Sequence, residues 1–375
     1  MHKSYKYRIC PTKNQESLLK KSLELCRLVY NKTLELRKDA WENEKKSISL
    51  YDSHSYLGQW KKDNPELKNV HSQVLQNTQV RVDLAFKSFF RRVKSGEKPG
   101  YPRFKGYGRY DSFTYPQSGF KIANGFLSLS RIGAIKIILH RNMIGKIKTI
   151  TITHNSSGKW YACFSVEFEN APLENSEGRI GIDVGLITFS TLSNGEKIEN
   201  PKFFRRDERA LAKAQRKVSK FEKGKAPLRF RQAVSLIHER IANRRRDFAH
   251  KESRKLINRF GIIAVEDLQV NRMVHNHCLA KSISDVAWTQ FFDFLAYKAE
   301  WAGRQLVKVN PAYTSQTCSN CGHRQSLELS DRVYNCPCCG MQLGRDENAA
   351  RNILALGLQN IGIQSVVAAI STVAE

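Results

Sequence analysis

Residues 179–198 read RIGIDVGLITFSTLSNGEKI. This is a strand, a turn and a second strand, with one carboxylate, Asp183, set inside an otherwise apolar run. Downstream the pattern changes repeatedly. A long basic helical segment fills 202–259, GIIAVED (261–267) reads as a strand, and a helix is expected around 286–302. QLVKVN (305–310) reads as another strand, a cysteine-rich stretch follows, and a final helix spans 345–356. Alternating strands and helices of this kind predict an α/β domain, here interrupted by the cysteine-rich segment.

Upstream, KSYKYRI (3–9) alternates as a short strand, and 13–46 carries helical periodicity with Leu18, Leu19, Leu25, Leu28, Val29 and Leu36 on a common side. Pro65 opens a second helical stretch, 66–94, striped by Leu75, Thr78, Val82, Phe86, Phe89 and Val93. Its polar side, including Gln73, Gln76, Asn77, Lys87, Arg91 and Lys94, could touch nucleic acid or simply be solvated. At Ser95-Gly96 the character changes. Residues 96–170 hold short alternating segments (FLSLS, IKIILH, IKTITITH, WYACFSVEF) that predict a β-rich domain and a small barrel. PGYPRFKGYGRY (99–110) interleaves basic and aromatic residues, which suits either base stacking beside phosphate contacts or an ordinary hairpin loop. ENAPLENSEG (169–178) reads as a linker, and 361–375 as an uninformative apolar tail.

The 375-residue chain has 62 Lys+Arg against 35 Asp+Glu, a formal net charge of +27, and is 41% hydrophobic. It is too apolar for a disordered chain. No apolar run approaches the roughly 20 residues of a membrane-spanning helix. The first residues lack the features of a signal peptide, so a cytoplasmic protein with no membrane partner is expected. The positive excess points to a polyanion, with nucleic acid the commonest one, and to generic basicity as the alternative. Residues 202–259 contain 20 Lys+Arg and 6 Asp+Glu, about half of the excess.

Five of nine cysteines crowd together. CSNCG (318–322) and CPCCG (336–340) repeat Cys-x-x-Cys-Gly, with fourteen residues between Cys321 and Cys336. That spacing suits a four-thiolate zinc ribbon, in which each Gly permits the turn after the second sulfur. The repeated Gly selects Cys318, Cys321, Cys336 and Cys339 as ligands and leaves Cys338 a bystander. Four protein ligands leave no open position for water, so the Zn²⁺ is expected to be structural. His323 is read as a polar loop residue and Cys10, Cys26, Cys163 and Cys278 as reduced thiols.

Asp183 alone could be a turn residue or a paired structural Asp. Glu266, at the end of IIAVE, could be an exposed strand end. Asp346 begins DENAARNIL, where a first-turn Asp is unremarkable, yet it lies on the side of Ala349, Ala350 and Ile353. Three acids converging at strand ends would repel one another unless divalent cations neutralised them. Mg²⁺ ions so held would serve phosphodiester cleavage. His275-Asn276-His277 lacks the context of a metal-binding nuclease motif and reads as a polar loop.

GIDVGL, VEDLQVNRM, CSNCG…CPCCG and RDENAARNIL resemble, in order, the nuclease core of the TnpB (OrfB) family of insertion-sequence proteins, relatives of type V CRISPR effectors. QVLQNTQVRVDLAFKSFFRR and KPGYPRFKG extend the resemblance over nearly the whole chain. It implies an α/β RNase H-like (RuvC-like) core over 179–317 and 341–360, with a zinc ribbon (318–340) inserted. It further implies a wedge-like β domain (1–10 and 96–172) carrying a helical recognition lobe (11–95). Asp183, Glu266 and Asp346 become the catalytic triad, holding Mg²⁺ or Mn²⁺. The implied activity is RNA-guided, metal-dependent endodeoxyribonuclease cleavage of double-stranded DNA beside a short motif. The guide RNA would come from the element's own end. A nuclease-inactive RNA-guided repressor and a transposase acting directly on element ends are the alternatives. Many relatives have Asp-Arg-Asp before x-Asn-Ala-Ala; here Gly344 replaces the first acid.

Overall fold

Buried Tyr5, Tyr7 and Ile9 alternate with exposed Lys6 and Arg8, which makes β1 (His2–Cys10) a half-buried strand. In the computed structural model, which describes residues 1–328 and 330–362, this strand lies inside the first of two units, Met1–Glu169 and Asn170–Glu375. Residues 363–375 of the expected tail lie outside the described residues.

Thr12 caps α1 (Lys13–Glu44) through a reciprocal capping box with Gln15. The buried stripe of α1 contains Leu19, Leu23, Cys26, Val29 and Tyr30. Leu18 and Leu28, expected in that stripe, are instead exposed, because each sits about 100° around the helix from a buried neighbour. α2 (Leu50–Asp63), which the sequence reading did not anticipate, is also capped reciprocally, by Ser49 and Asp52. A 3₁₀ turn at Pro65–Asn69 precedes α3 (Ser72–Lys94), so the stretch expected from Pro65 is broken. Leu75, Thr78, Val82 and Phe86 are buried as expected, whereas Val93 is exposed in the last turn.

The helices share one hydrophobic core with a seven-stranded sheet. Its other strands are β2 (Ser112–Tyr115), β3 (Phe120–Ala123), β4 (Phe126–Leu129), β5 (Gly133–Ile138), β6 (Lys146–His154) and β7 (Trp160–Glu167). The order is β2-β6-β7-β1-β5-β4-β3, with every pairing antiparallel. The expected barrel is therefore a curled sheet that hydrogen bonds do not close among the described residues. Tyr115 of β2 spans the curl, donating its hydroxyl proton to the Ser130 carbonyl just beyond β4 at 3.0 Å.

The second unit begins with β8 (Arg179–Val184), β9 (Thr188–Leu192) and β10 (Lys197–Glu199). Two basic helices follow, α4 (Phe203–Ser219) and α5 (Leu228–Arg259), and then β11 (Ile262–Glu266). α6 (Val270–Met273), α7 (His277–Val286) and α8 (Trp288–Ala302) lead into β12 (Gln305–Val309). A hairpin of β13 (Val333–Asn335) and β14 (Gln342–Gly344) precedes α9 (Arg345–Asn360).

The five-stranded sheet runs β10-β9-β8-β11-β12. β8, β11 and β12 are parallel, and the other pairings are antiparallel. One face carries the core formed with α5 and α8 around Ile182, Ile263, Phe291 and Leu295. The other face carries α9, whose Ile353 packs against Ala264 and Val307 of the sheet. Small residues set that close approach. A Cβ on Gly181 would lie 2.1 Å from the Ala350 carbonyl, and one on Gly357 2.6 Å from the Ala264 Cβ. Among the described residues no helix is long and apolar enough to cross a membrane.

Candidate active site

The period of a strand sends alternate residues to opposite faces. In β8, Ile180 and Ile182 enter the α5/α8 core while Gly181 faces α9, so Asp183 shares α9's face. In β11, Ile263 and Val265 enter the same core while Ala264 lies under α9, and Glu266 follows on that face. The strands are parallel and Ile182 pairs with Val265, so the two carboxylates come next in register at adjacent C-terminal strand ends. That is where open α/β sheets place their ligands. Asp346 joins them from the first turn of α9.

The three acids line one cavity of about 330 Å³, together with Pro311, Thr314, Ser315, Arg332 and Arg345. Asp183 keeps part of its surface open to this cavity, but protein crowds it closely. Desolvation, followed by the charges of Glu266 and Asp346, holds its carboxyl well above the usual carboxylate range. The Val184 amide and Arg345 oppose that shift without cancelling it. Burial also raises Glu266, against a 2.7 Å hydrogen bond donated by the Thr314 hydroxyl. Among the described residues no Lys or Arg forms an ion pair with any of the three acids.

Thr314, Arg332 and Arg345 were not singled out by sequence. Thr314 comes from the loop after β12, and Arg332 immediately precedes β13. Arg345, directly before Asp346, carried the one available signal: a basic residue beside a singled-out acid.

The cysteines form a second centre. The ligand atoms of Cys318, Cys321, Cys336 and Cys339 all lie within 4.8 Å of one another, with no disulfide. Among the described residues no other group of three or more His, Cys, Asp or Glu gathers its ligand atoms so closely. The carboxylates line a wider space. Both halves of the cluster use the same local fold. Gly322 N–H donates to the Cys318 carbonyl and Gly340 N–H to the Cys336 carbonyl, each at 3.0 Å. Both glycines have positive φ, 76° and 71°. The repeat therefore places Cys339 in the cluster and leaves Cys338 exposed outside it. The Asn320 side chain, with the Met341 amide, pushes the Cys339 thiol down to about 6. His323 contributes its backbone carbonyl, accepting from Cys318 N–H at 2.8 Å and the Tyr334 hydroxyl at 3.0 Å, and is not in the ligand group.

His275 and His277 are exposed, and Asn276 caps α7 by accepting from Cys278 N–H. Residues 99–110 are irregular rather than a hairpin. Arg27 and Asn31 hold the Lys105 carbonyl, which anchors the loop along α1 and leaves Phe104 and Tyr107 exposed.

Three family models match the chain in sequence order: "Helix-turn-helix domain" over residues 1–46, "Probable transposase" (OrfB of the IS605 group) over 163–277, and "Cas12f1-like, TNB domain" over 288–353. A Streptomyces pristinaespiralis protein named "Putative RNA-guided DNA endonuclease" is 38% identical over 365 residues, covering 95% of this chain and 89% of the relative. The chain belongs to the TnpB (OrfB) family. "Putative RNA-guided DNA endonuclease InsQ" of Escherichia coli is 32% identical across 94% of this chain and 92% of its own. The solved mini-RNA-guided endonuclease CRISPR-Cas_phi3 shares the fold, with a TM-score of 0.50 at 9% identity, over 96% of this chain and 92% of that one.

Two features of this TnpB family member stand apart. Its residues 1–46 form one strand and one long helix rather than two helices about a turn. Gly344 is the N-cap residue of α9 and offers no side-chain cap.

Proposed function

We propose that this chain is an RNA-guided DNA endonuclease whose RNase H-like (RuvC-like) core cuts DNA at Asp183, Glu266 and Asp346. The observation that carries the reading is their convergence in one cavity, on two parallel strand ends and a helix start, without an ion-pairing Lys or Arg among the described residues. Oxygen-only donors of this kind suit Mg²⁺ or Mn²⁺, and the burial of Asp183 beside two further acids, which elevates it, is a cost that such cations would relieve. When bound, divalent cations supply Lewis-acid stabilisation of the reacting phosphate and its leaving oxygen. The chain's own residues do the rest. Arg332 and Arg345 line the same cavity and would draw a phosphodiester toward the carboxylates. Cys318, Cys321, Cys336 and Cys339 would hold a structural Zn²⁺, because four gathered thiols match its ligand preference and count.

The guide RNA, made from the element's own end, would supply target choice by base pairing, while the protein reads a short adjacent motif and holds the heteroduplex by its backbone. The basic helices α4 and α5 suit that backbone contact. The wedge-like β domain (1–10, 96–172) and the helical recognition lobe (11–95) would carry guide and motif recognition. A repressor gains no support, since all three acids are intact, and a transposase working directly on element ends gains none from His275 and His277, which are exposed beside the Asn276 cap of α7. The test is cutting of a plasmid bearing the guide-matched target, by protein purified with its RNA. Cleavage that needs both the match and Mg²⁺ supports the reading; an uncut matched plasmid overturns it.

A further inference from the structure

Glu266 is held by a device assembled outside its own strand. The buried Thr314 hydroxyl lies 2.7 Å from Glu266 Oε1 and 3.2 Å from the Pro311 carbonyl, so its single proton favours the carboxylate. Thr314 sits on the loop joining β12 to the first cysteine pair, and that loop is tied down at three points. Asn352 of α9 donates to the carbonyls of Thr314 at 2.8 Å and Thr317 at 2.7 Å. Asn348, fully buried one turn earlier, donates to the Thr317 carbonyl at 2.7 Å and accepts from Ser319 N–H at 2.9 Å. Tyr313 occupies the left-handed region (φ 68°), costly for a bulky residue, and Arg324 from the cysteine segment lies over its ring at 3.1 Å.

We infer that Thr314 is a positioning residue for Glu266, and that the Asn348/Asn352 pair presents it, so that the helix carrying Asp346 also sets the geometry of the strand acid. The physical reason is orientational. A carboxylate at a strand end with no ion-pairing partner has several accessible rotamers, and one short hydrogen bond from a clamped hydroxyl selects among them. Asn348 and Asn352 are four apart, so they share a face of α9. Asp346 lies in the same first turn as Asn348, so one rigid helix fixes one acid directly and the other through the loop.

This inference rests on the nuclease reading above, and the experiment separates the two. The guide-loaded protein is prepared as wild type, Thr314→Val, Thr314→Ser and Asp183→Ala. Each is titrated with Mn²⁺ by calorimetry, assayed for cutting against Mn²⁺ concentration, and checked for zinc content and matched-DNA binding. Thr314→Val, which keeps shape but loses the proton, should raise the half-saturating Mn²⁺ concentration by about 10-fold. Its maximal rate should fall, with zinc content and DNA binding unchanged, and Thr314→Ser should return both metal parameters to near wild type. Wild-type Mn²⁺ affinity and rate in Thr314→Val would overturn the inference. So would equal damage in Thr314→Val and Thr314→Ser accompanied by zinc loss, which marks a merely structural role. Undiminished cutting by Asp183→Ala would instead overturn the nuclease assignment, and the Mn²⁺ titration of Thr314→Val would still decide whether Thr314 positions a metal-binding acid.

Discussion

Asp83 in α3 and Asp183 in β8 are both enclosed acids, and the chain treats them oppositely. Asp83 meets Arg37 at 3.1 Å and Lys87 at 2.9 Å. Burial would raise its pKa, but hydrogen bonds from Lys87 and Arg37 outweigh burial and hold it below the usual range. Asp285 is treated likewise, taking Arg245 at 2.7 Å and capping α4 through Phe204 N–H. Asp183 has no ion-pair partner among the described residues, and burial with the charges of Glu266 and Asp346 outweighs the opposing charge of Arg345. Where this chain encloses an acid for structure, it supplies the cation itself. At the cavity and at the cysteine cluster it gathers carboxylates and thiols without such a partner among the described residues, and under the proposed reading the balancing charge comes from bound metal.

The comparison can be broken in several ways, beginning with the largest expected effect. Replacing Cys336 by Ser removes one thiolate from a set of four. The cluster buries little else, chiefly Tyr334, so under the proposed reading its fold depends on a bound metal. Zinc content should drop to background by atomic absorption, with cutting lost as well; retained stoichiometric zinc would assign the ligands elsewhere. In metal-free protein, Asp83→Asn and Asp183→Asn should then move stability in opposite directions. The first strands Arg37 and should destabilise by about 1–3 kcal/mol. The second relieves desolvation and repulsion and should stabilise by on the order of 1 kcal/mol. Thermal melts in chelator read both, and shifts of the same sign would void the contrast.

Acid titration sharpens the same point. Because Asp83 is depressed, its contribution is fully present above the unfolded carboxylate value of about 4 and is lost as pH falls through the lower folded value. The melting difference between wild type and Asp83→Asn should therefore narrow below about pH 4; a constant gap would contradict the ion-pair account. The smallest effect belongs to Gly344→Asp. A Cβ there has room, its nearest neighbour being the Glu347 Cβ at 4.0 Å, and an Asp would cap α9. The gain over Gly is a few tenths of a kcal/mol, roughly, measurable as a slight rise in melting temperature. A loss would show that a fourth acid beside Asp346 repels more than it caps.

Much of the site was legible because it obeys short-range rules. Strand period sends Asp183 and Glu266 to one face, helix spacing puts Asp346 with Ala349 and Ala350, and the repeated Gly marks Cys339. What was not legible depends on long-range folding. Thr314 and Arg332 come from loop and hairpin segments with no periodicity, and only the packing of α9 brings them to the acids. α2 was missed because its buried face is only Ser53, Leu57 and Trp60, too sparse a stripe to stand out. The misread Leu18 and Leu28 show the converse: an apolar residue beside the stripe is still solvent-facing.

The central claim is that cutting, and not target capture, resides in the unbalanced acids. Its most direct test runs wild type and Asp183→Ala, each loaded with guide RNA, on one labelled matched duplex with Mg²⁺, measuring binding and cleavage in the same tubes. The account predicts equal binding and a cleavage loss beyond the roughly 10–100-fold typical of an outer partner to a metal ligand. Cleavage at the wild-type rate by Asp183→Ala would contradict it.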